Sequence, residues 1–360
     1  MTSEAACHLP VKIGGYAARP RGDVLRTPVV TLMRRSLRVV SLVVSTLLPG
    51  LFHAAGAQPS AGAYPVKTIR LVVPFPPGAG TDTIARLVAH KLAESMSATI
   101  IVENRVGAGG AIGAIEAAKS DPDGYTLLFV ASPFTTVAAS SKSAGYDPVK
   151  QFVPVASIAA GPLAFVVNPD VPARTMREFI ALARAQPGKL NYGSAGPGSV
   201  NHLALELLNA RAGVEIVHVP YKGIAPATQD LLAGQIQAMT ASIPATLPYL
   251  AQNRVRVLAV TGPKRAALLP DVPTWRESGI DNADVINYWG IVAPLGTPRD
   301  IVAKLNAEVL KVLAQPDVRE RLEREGAELI PGPPERLGAL IEVDLNSWKK
   351  LIAEARLQLE

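Results

Sequence analysis

From residue 69 to residue 292 the chain alternates short β-branched, apolar runs with amphipathic stretches, and this steady order is what most limits the folds open to it. Candidate strands lie at 69–74, 99–103, 125–130, 163–167, 190–192, 215–219, 237–240, 255–260 and 285–292. Between them, Ile84, Leu87, Val88, Leu92 and Met96 recur at helical spacing after Thr81. Met176, Phe179, Ile180 and Leu182 form a second such set, and Leu203, Leu205, Leu207 and Leu208 a third. A strand followed by a helix and another strand crosses over the face of a sheet, so the expected class is α/β, with parallel or mixed sheets flanked by helices. From Arg299 onward the pattern reads as helices only, with Ile301, Leu305, Val309 and Val312 in one stripe.

Of the 360 residues 48% are hydrophobic and 18% charged, which excludes a disordered or collagen-like chain and leaves enough length for two domains of roughly 150 residues each. Two uninterrupted apolar runs, 163–168 and 286–294, are long enough to cross between lobes. The expected division is 64–165 with 288–360 in one lobe and 166–287 in the other. A chain that leaves one lobe, builds the second and returns makes a hinge able to close on a ligand.

The net charge of +6 raises nucleic acid or an anionic membrane as a partner, and its placement answers the question. Arg34, Arg35 and Arg38 precede a short apolar stretch, 39–52, which leads to Ala55-Gly56-Ala57. That is the layout of a secretory signal peptide at 33–57, within a leader at 1–57, with cleavage expected after Ala57. A buried core helix of this length is the alternative; the arginines before it and the small residues after it favour the signal. Arg34-Arg35 also fits a twin-arginine route, but paired arginines are common in such leaders and a Sec signal is the simpler reading. Residues 1–32 are too many to precede a signal peptide, so Met33 is the expected start. The leader holds seven basic and two acidic residues, +5 of the +6, and also Cys7. The exported remainder is nearly neutral and free of cysteine, which removes disulfides, thiolate chemistry and the case for nucleic acid.

Three glycine-bearing loops each follow a strand and open a helix. The first is Phe75-Pro76-Pro77-Gly78-Ala79-Gly80-Thr81-Asp82, where Thr81 or Asp82 would cap the helix. The second is Tyr192-Gly193-Ser194-Ala195-Gly196-Pro197-Gly198-Ser199-Val200-Asn201-His202, and the third Val219-Pro220-Tyr221-Lys222-Gly223. Glycine lets a ligand approach the backbone, and the N–H groups at a helix start attract a carboxylate or phosphate. A capped turn with no ligand is the alternative for any one loop; three at the carboxyl ends of strands, where α/β sheets bind ligands, are harder to dismiss.

Gly107-Ala108-Gly109-Gly110-Ala111-Ile112-Gly113 superficially resembles a dinucleotide fingerprint, but its register fails at Ile112 and the next strand ends in Ala131-Ser132 with no ribose-binding acid. Tight helix–strand packing is the preferred role, and no cofactor is expected. Ser194 lacks the first glycine of a G-x-S-x-G nucleophile elbow, and no His, Asp and Glu cluster has metal-ligand spacing. After the leader the histidines are His90, His202 and His218. His90 reads as a surface residue and His218 as a core or near-core imidazole in a strand. At His202, capping, packing and ligand contact all stay open.

At these loops the sequence resembles the Bug, or TctC, family of periplasmic solute-binding receptors of tripartite tricarboxylate transporters. The resemblance runs from about Tyr64 to the C-terminus. It is carried by Pro74-Phe75-Pro76-Pro77-Gly78 with Asp82 and Ala85-Arg86, by Glu103-Asn104-Arg105, and by Asp121-Pro122-Asp123-Gly124-Tyr125. It continues in Gly188-Lys189-Leu190-Asn191-Tyr192-Gly193-Ser194-Ala195-Gly196, in His218-Val219-Pro220-Tyr221-Lys222-Gly223 and in Leu269-Pro270-Asp271-Val272-Pro273-Thr274. The resemblance implies a two-lobed periplasmic binding-protein fold, type II-like, that holds a small carboxylate in the interlobe cleft. The implied ligand residues are Phe75, Pro77, Gly78, Ala79, Gly80, Thr81, Asp82 and Ser132 from one lobe. From the other come Ser194, Ala195, Ser199, His202, Tyr221, Lys222 and Ser242. Two departures matter: Ala79 replaces one of consecutive glycines, and Ala241 stands where an aspartate commonly follows an aromatic residue, so the identity of the ligand does not carry over.

The expected protein is a periplasmic, monomeric, non-enzymatic receptor for a di- or tricarboxylate, an amino acid or an aromatic acid. It would deliver this ligand to the large and small inner-membrane permease subunits of a tripartite tricarboxylate transporter. An alternative output is docking on the periplasmic domain of a sensor kinase. A secreted α/β enzyme is the rival from another class, and it needs a base, nucleophile or metal that the sequence does not assemble.

Overall fold

The computed structural model describes residues 64–78, 80–141 and 144–357; the expected leader, its signal peptide and Ala79 lie outside the described residues. The chain runs β1 (Ile69–Val73), α1 (Gly80–Met96), β2 (Ile100–Asn104), a 3-10 turn (Ala108–Gly110), α2 (Ala111–Ala118), β3 (Thr126–Ala131), α3 (Pro133–Ser140) and β4 (Phe152–Val167). It continues through α4 (Met176–Ala185), β5 (Asn191–Ser194), α5 (Val200–Ala212), β6 (Val217–Pro220), α6 (Ile224–Leu232), β7 (Ala238–Ser242), α7 (Ile243–Ala251) and β8 (Arg256–Val260). The last elements are β9 (Ile286–Pro294), α8 (Arg299–Leu313), α9 (Pro316–Arg324), β10 (Glu328–Leu329) and α10 (Pro334–Glu354). Among the described residues no helix is long and apolar enough to cross a membrane.

Each expected strand is present. The one expected at 163–167 is the end of a strand of 16 residues, β4. The tail is not helical throughout, because β10 pairs antiparallel with β4, Glu328 opposite Ala160. Two residues are too few to display a strand period, so only the tertiary pairing reveals them.

The sheet order is β2-β1-β3-β9-β4-β7-β5-β6. β1 is parallel to β2 and β3, and β5 is parallel to β6 and β7, whereas β9 runs antiparallel to β3 and β4. β4 changes partner along its length. Residues from Phe152 to Pro162 pair with β9, and Leu163 to Val167 pair with β7 and β8. The sheet is thereby divided into two halves at Pro162–Leu163.

Helices cover both faces of each half, so successive strand residues bury into different cores. Ile69, Leu71 and Val73 pack with Ile84, Val88 and Leu305, while Val72 packs with Ala114 and Ala117 on the opposite face. In the second half Phe165 and Val167 join Phe179, Leu203 and Leu208, and Ala164 and Val166 join Leu231 and Ile243. Burying a side chain such as Phe165 stabilises by about 1.5–3 kcal/mol, which is why these runs are continuously apolar. α10 serves both halves: Leu337 and Ile341 belong to a core of the first, Trp348 and Leu351 to a core of the second.

The two crossing segments are tied together by Thr261, which is fully buried. Its N–H donates to Leu163 O at 2.9 Å and its hydroxyl donates to Val285 O at 2.6 Å. In return Leu163 N–H donates to Thr261 Oγ1 at 2.9 Å and Val285 N–H to Thr261 O at 2.8 Å.

Candidate ligand-binding site

Strand direction and register place the loops. In the first half β3 ends at Ala131, opposite Trp289, and Trp289 pairs with Ala159 of β4, just short of the crossing. β1 and β2 run parallel to β3, so the loops after them leave the same edge. In the second half β7 ends at Ser242 opposite Leu163, the first residue past the crossing, and β5 and β6 run parallel to β7. The carboxyl edges of both sets of parallel strands therefore face each other across β4 residues 159–163. Ser140 at the end of α3 approaches the second half so closely that a Cβ at Gly198 would lie 2.5 Å from its Oγ.

The first loop is anchored by Asp82. Asp82 is buried, and its carboxylate accepts from Gly78 N at 2.9 Å, Arg86 Nε at 2.9 Å and Asn104 Nδ2 at 2.7 Å. Burial pushes this carboxyl up, but the bonds from Arg86, Asn104 and Gly78 outweigh it and hold the pKa below the ordinary aspartate range. Asn104 also donates to Phe75 O at 2.9 Å, which pins the far side of the loop, and the Phe75 side chain packs on the core. Thr81 accepts from Trp289 Nε1 at 3.1 Å. With Asp82 used this way, what the loop can offer a ligand is the backbone at the start of α1, at Gly80. Gly80 and Pro77 are exposed.

The second loop is shaped by two imidazoles. Ser194 Oγ and His218 Nε2 are 2.7 Å apart, and Ser194 Oγ accepts from Gly196 N at 3.0 Å. Gly198 N donates to His202 Nδ1 at 3.1 Å, so that nitrogen carries no proton. The rings of His202 and His218 stack 3.9 Å apart, and Tyr192 stacks on His218 at 5.0 Å while its hydroxyl donates to Glu206 at 2.6 Å. Burial first, and then the facing His218, pushes His202 down to about 4; burial alone pushes His218 down to about 4. Both rings are thus neutral at ordinary pH. Ser199 caps α5, accepting from His202 N and donating to Gly196 O at 2.7 Å. Gly196 and Gly198 have φ of +116° and +71°, the left-handed region in which glycine is at ease.

Ser194, Ala195, Ser199, His202 and Tyr221 come together in this cluster: Tyr221 N donates to Ser194 O at 3.3 Å, and the Tyr221 hydroxyl donates to Asp230 at 2.6 Å. Lys222 is exposed beside it. Ser242 is exposed at the start of α7 and lines a cavity of about 50 Å³ with Ile224 and Thr228 near the third loop. Ser132 is 1% exposed, and its hydroxyl is taken up by β9, donating to Ile286 O at 3.1 Å and accepting from Tyr288 N at 3.2 Å. At the glycine run after β2, a Cβ on Gly113 would lie 2.9 Å from Pro74 Cβ, so α2 packs directly on the strand end.

Three residues that set this geometry were not among the expected site residues. Asn104 stood in the Glu103-Asn104-Arg105 motif at a strand end, and Trp289 was an aromatic in an apolar run. His218 read as a core or near-core imidazole in a strand, and nothing local points it at Ser194.

Two α/β halves joined by a continuous strand, with parallel-strand loops facing each other at the crossing, are the architecture of a periplasmic solute-binding protein. Residues 84–357 match the tripartite tricarboxylate transporter family receptor model, TctC, and the chain belongs to that family. It is 41% identical over 296 residues to the UPF0065 protein in the tcbD-tcbE intergenic region of Pseudomonas sp. strain P51, covering 82% of this chain and 88% of that one. Its fold is similar to that of R. palustris Rpa4515 with adipate, at a TM-score of 0.73 and 35% identity over 81% of this chain and 98% of the other. It is also similar to MatC from Rhodopseudomonas palustris with bound malate, at a TM-score of 0.70 and 35% identity over 80% of this chain and 100% of the other. The family consists of periplasmic receptors for small carboxylates that serve tripartite transporters.

Proposed function

We propose that this chain is an exported receptor that binds a small organic acid between its two halves and passes it to the permease subunits of a tripartite tricarboxylate transporter. The observation that carries this reading is the facing of the two carboxyl edges across β4, which brings the α1 N-terminus toward the loops built on Ser194 and Tyr221. Adipate and malate in the two similar structures support a carboxylate as the ligand class. The ligand residues proposed are those of the first loop with Ser132, and Ser194, Ala195, Ser199, His202, Tyr221, Lys222 and Ser242.

The protein acts by binding alone. Ser194 and His218 have the separation of a nucleophile and its base, but the Ser194 hydroxyl is held by Gly196 N–H and His218, which favours an anchor for the ligand loop over an attacking group. Closure on the ligand follows from tighter binding to the closed form, which shifts the population of hinge states.

Calorimetry on refolded, ligand-free protein with a panel of organic acids tests the reading. Gly80→Trp fills the first loop at a place where a Cβ meets nothing within 4 Å, so the chain should fold and lose affinity for the acid. Heat from nicotinamide nucleotides with none from any acid would overturn the proposal.

A further inference from the structure

A cavity of about 690 Å³ is lined along α10, where that helix passes from one half to the other, and by none of the residues proposed above to hold the organic acid. We propose that it is a second binding site, separate from the cleft, for a small amphipathic organic anion with an aromatic or branched apolar body. This goes beyond the receptor reading above and does not depend on it.

The size is that of a ligand pocket rather than a packing defect. Its apolar wall is made by Leu207, Ile286, Leu340, Trp348 and Leu351. Val343 adds an aliphatic side chain that is 66% exposed, large for an apolar residue beside an open cavity.

The charge around the rim is unbalanced toward positive. Arg211, Arg276, Arg336 and Lys350 line the cavity, against Asp284 and Asp344. Asp284 is already ion-paired with Arg276. Asp344 is held by the Thr135 hydroxyl, and burial pushes its carboxyl up to about 6, so little negative charge faces the cavity at mildly acid pH. The Trp348 indole N–H lies near enough to favour the charged form of Asp344 yet outside hydrogen-bond geometry, a buried donor at the wall. Lys350 has only an exposed i,i+4 partner, Glu354, at 3.7 Å.

Arg211 and Arg336 are the cations without a carboxylate. Arg211 Nε donates to Asn282 O at 3.2 Å and Arg336 Nη1 to Pro331 O at 3.1 Å. Neither has an ion-pair partner within 4.0 Å among the described residues. A guanidinium anchored by one backbone bond keeps further donors for a planar anion, and two of them, one on α5 and one on α10, flank the apolar wall. An apolar body with one anionic group satisfies both features; a neutral body leaves the arginines unused, and a bare inorganic anion leaves the wall wet.

The test uses 1-anilinonaphthalene-8-sulfonate as the anionic probe and N-phenyl-1-naphthylamine as its uncharged counterpart, followed by fluorescence on the purified chain. Saturable binding of one sulfonate per chain is expected, about tenfold tighter than the uncharged probe. Arg211→Glu and Arg336→Glu change exposed side chains, so folding should survive, as circular dichroism would verify, and each should weaken the sulfonate by about tenfold, the loss of one charge-assisted bond. The cleft variant Gly80→Trp should bind the probe as the parent chain does. Non-saturable fluorescence, equal affinity for the two probes, indifference to both charge reversals, or loss of the probe in Gly80→Trp would each overturn the proposal. Because the probe and the organic-acid titrations are separate measurements, failure of one leaves the other readable.

Discussion

Ser194 Oγ and His218 Nε2, 24 residues apart in sequence, meet at 2.7 Å between two parallel strands and fix the start of the second loop. Ser194→Ala would leave Gly196 N and His218 Nε2 without this partner in a buried setting. The expected loss is about 1–3 kcal/mol in urea unfolding, the cost of stranding buried polar groups. A change within about 0.5 kcal/mol, as for an ordinary surface substitution, would remove the hydroxyl from the set of loop anchors.

The neighbouring imidazoles make stability depend on pH. His202 and His218 fall from 6.5 to about 4 in the fold. Between those values the unfolded chain takes up protons that the folded chain refuses, so their contribution is complete above pH 6.5 and is lost as pH falls toward 4. Asp344, raised to about 6 by burial, acts in the opposite sense, as does Glu206, whose carboxyl burial also raises and which faces His202 at 4.0 Å. Denaturant unfolding of the parent chain should weaken from pH 7 to pH 4.5. In the double variant His202→Gln, His218→Gln that weakening should flatten or reverse; an unchanged slope would contradict the assignment.

Thr261 joins the two crossing segments through one hydroxyl. Thr261→Val keeps the shape but strands Leu163 N–H and Val285 O, and should cost about 2–4 kcal/mol. Thr261→Ser, which keeps the hydroxyl, should recover most of this. Equal losses in both variants would mean that the methyl packing and not the bonds supports the crossing.

Asp82 is expected to act on affinity through the loop that it holds. Asp82→Ala removes the acceptor for Gly78 N, Arg86 and Asn104, so the first loop should loosen and the affinity for the organic acid fall at least about tenfold, the equivalent of one charge-assisted bond. Calorimetry with the acid that gives heat in the parent chain checks it. Full affinity in Asp82→Ala would show that loop order does not depend on this carboxylate.

Gly198 has φ of +71° and faces Ser140 of α3. Gly198→Ala adds left-handed strain and a clash with the far half, and should weaken binding as well as stability. Gly198→Ala with Ser140→Gly removes the clash but not the strain, so it should recover part of the loss. No recovery would indicate that the α3 approach is not maintained in solution.

Much of the protein was legible in its residues. Short apolar runs located β1 to β9, although only the last five residues of β4, and helical spacing located α1, α4, α5 and α8, because a strand buried on both faces is apolar throughout and a helix packed on one face repeats its apolar residues every three to four positions. The family resemblance and the three anion-suited loops were also readable, since glycine, proline and capping residues act within a few positions of themselves. The division of β4 between two sets of partners was not, because Pro162 and Leu163 differ only in which distant strand meets them. Nor was the inward turn of Asp82 onto Asn104, the stacking of His202 on His218, or the passage of α10 from Ile341 in one core to Trp348 in the other. Those depend on pairings and packing between segments far apart in sequence, where the free energy belongs to both partners at once and neither carries a local sign of the other.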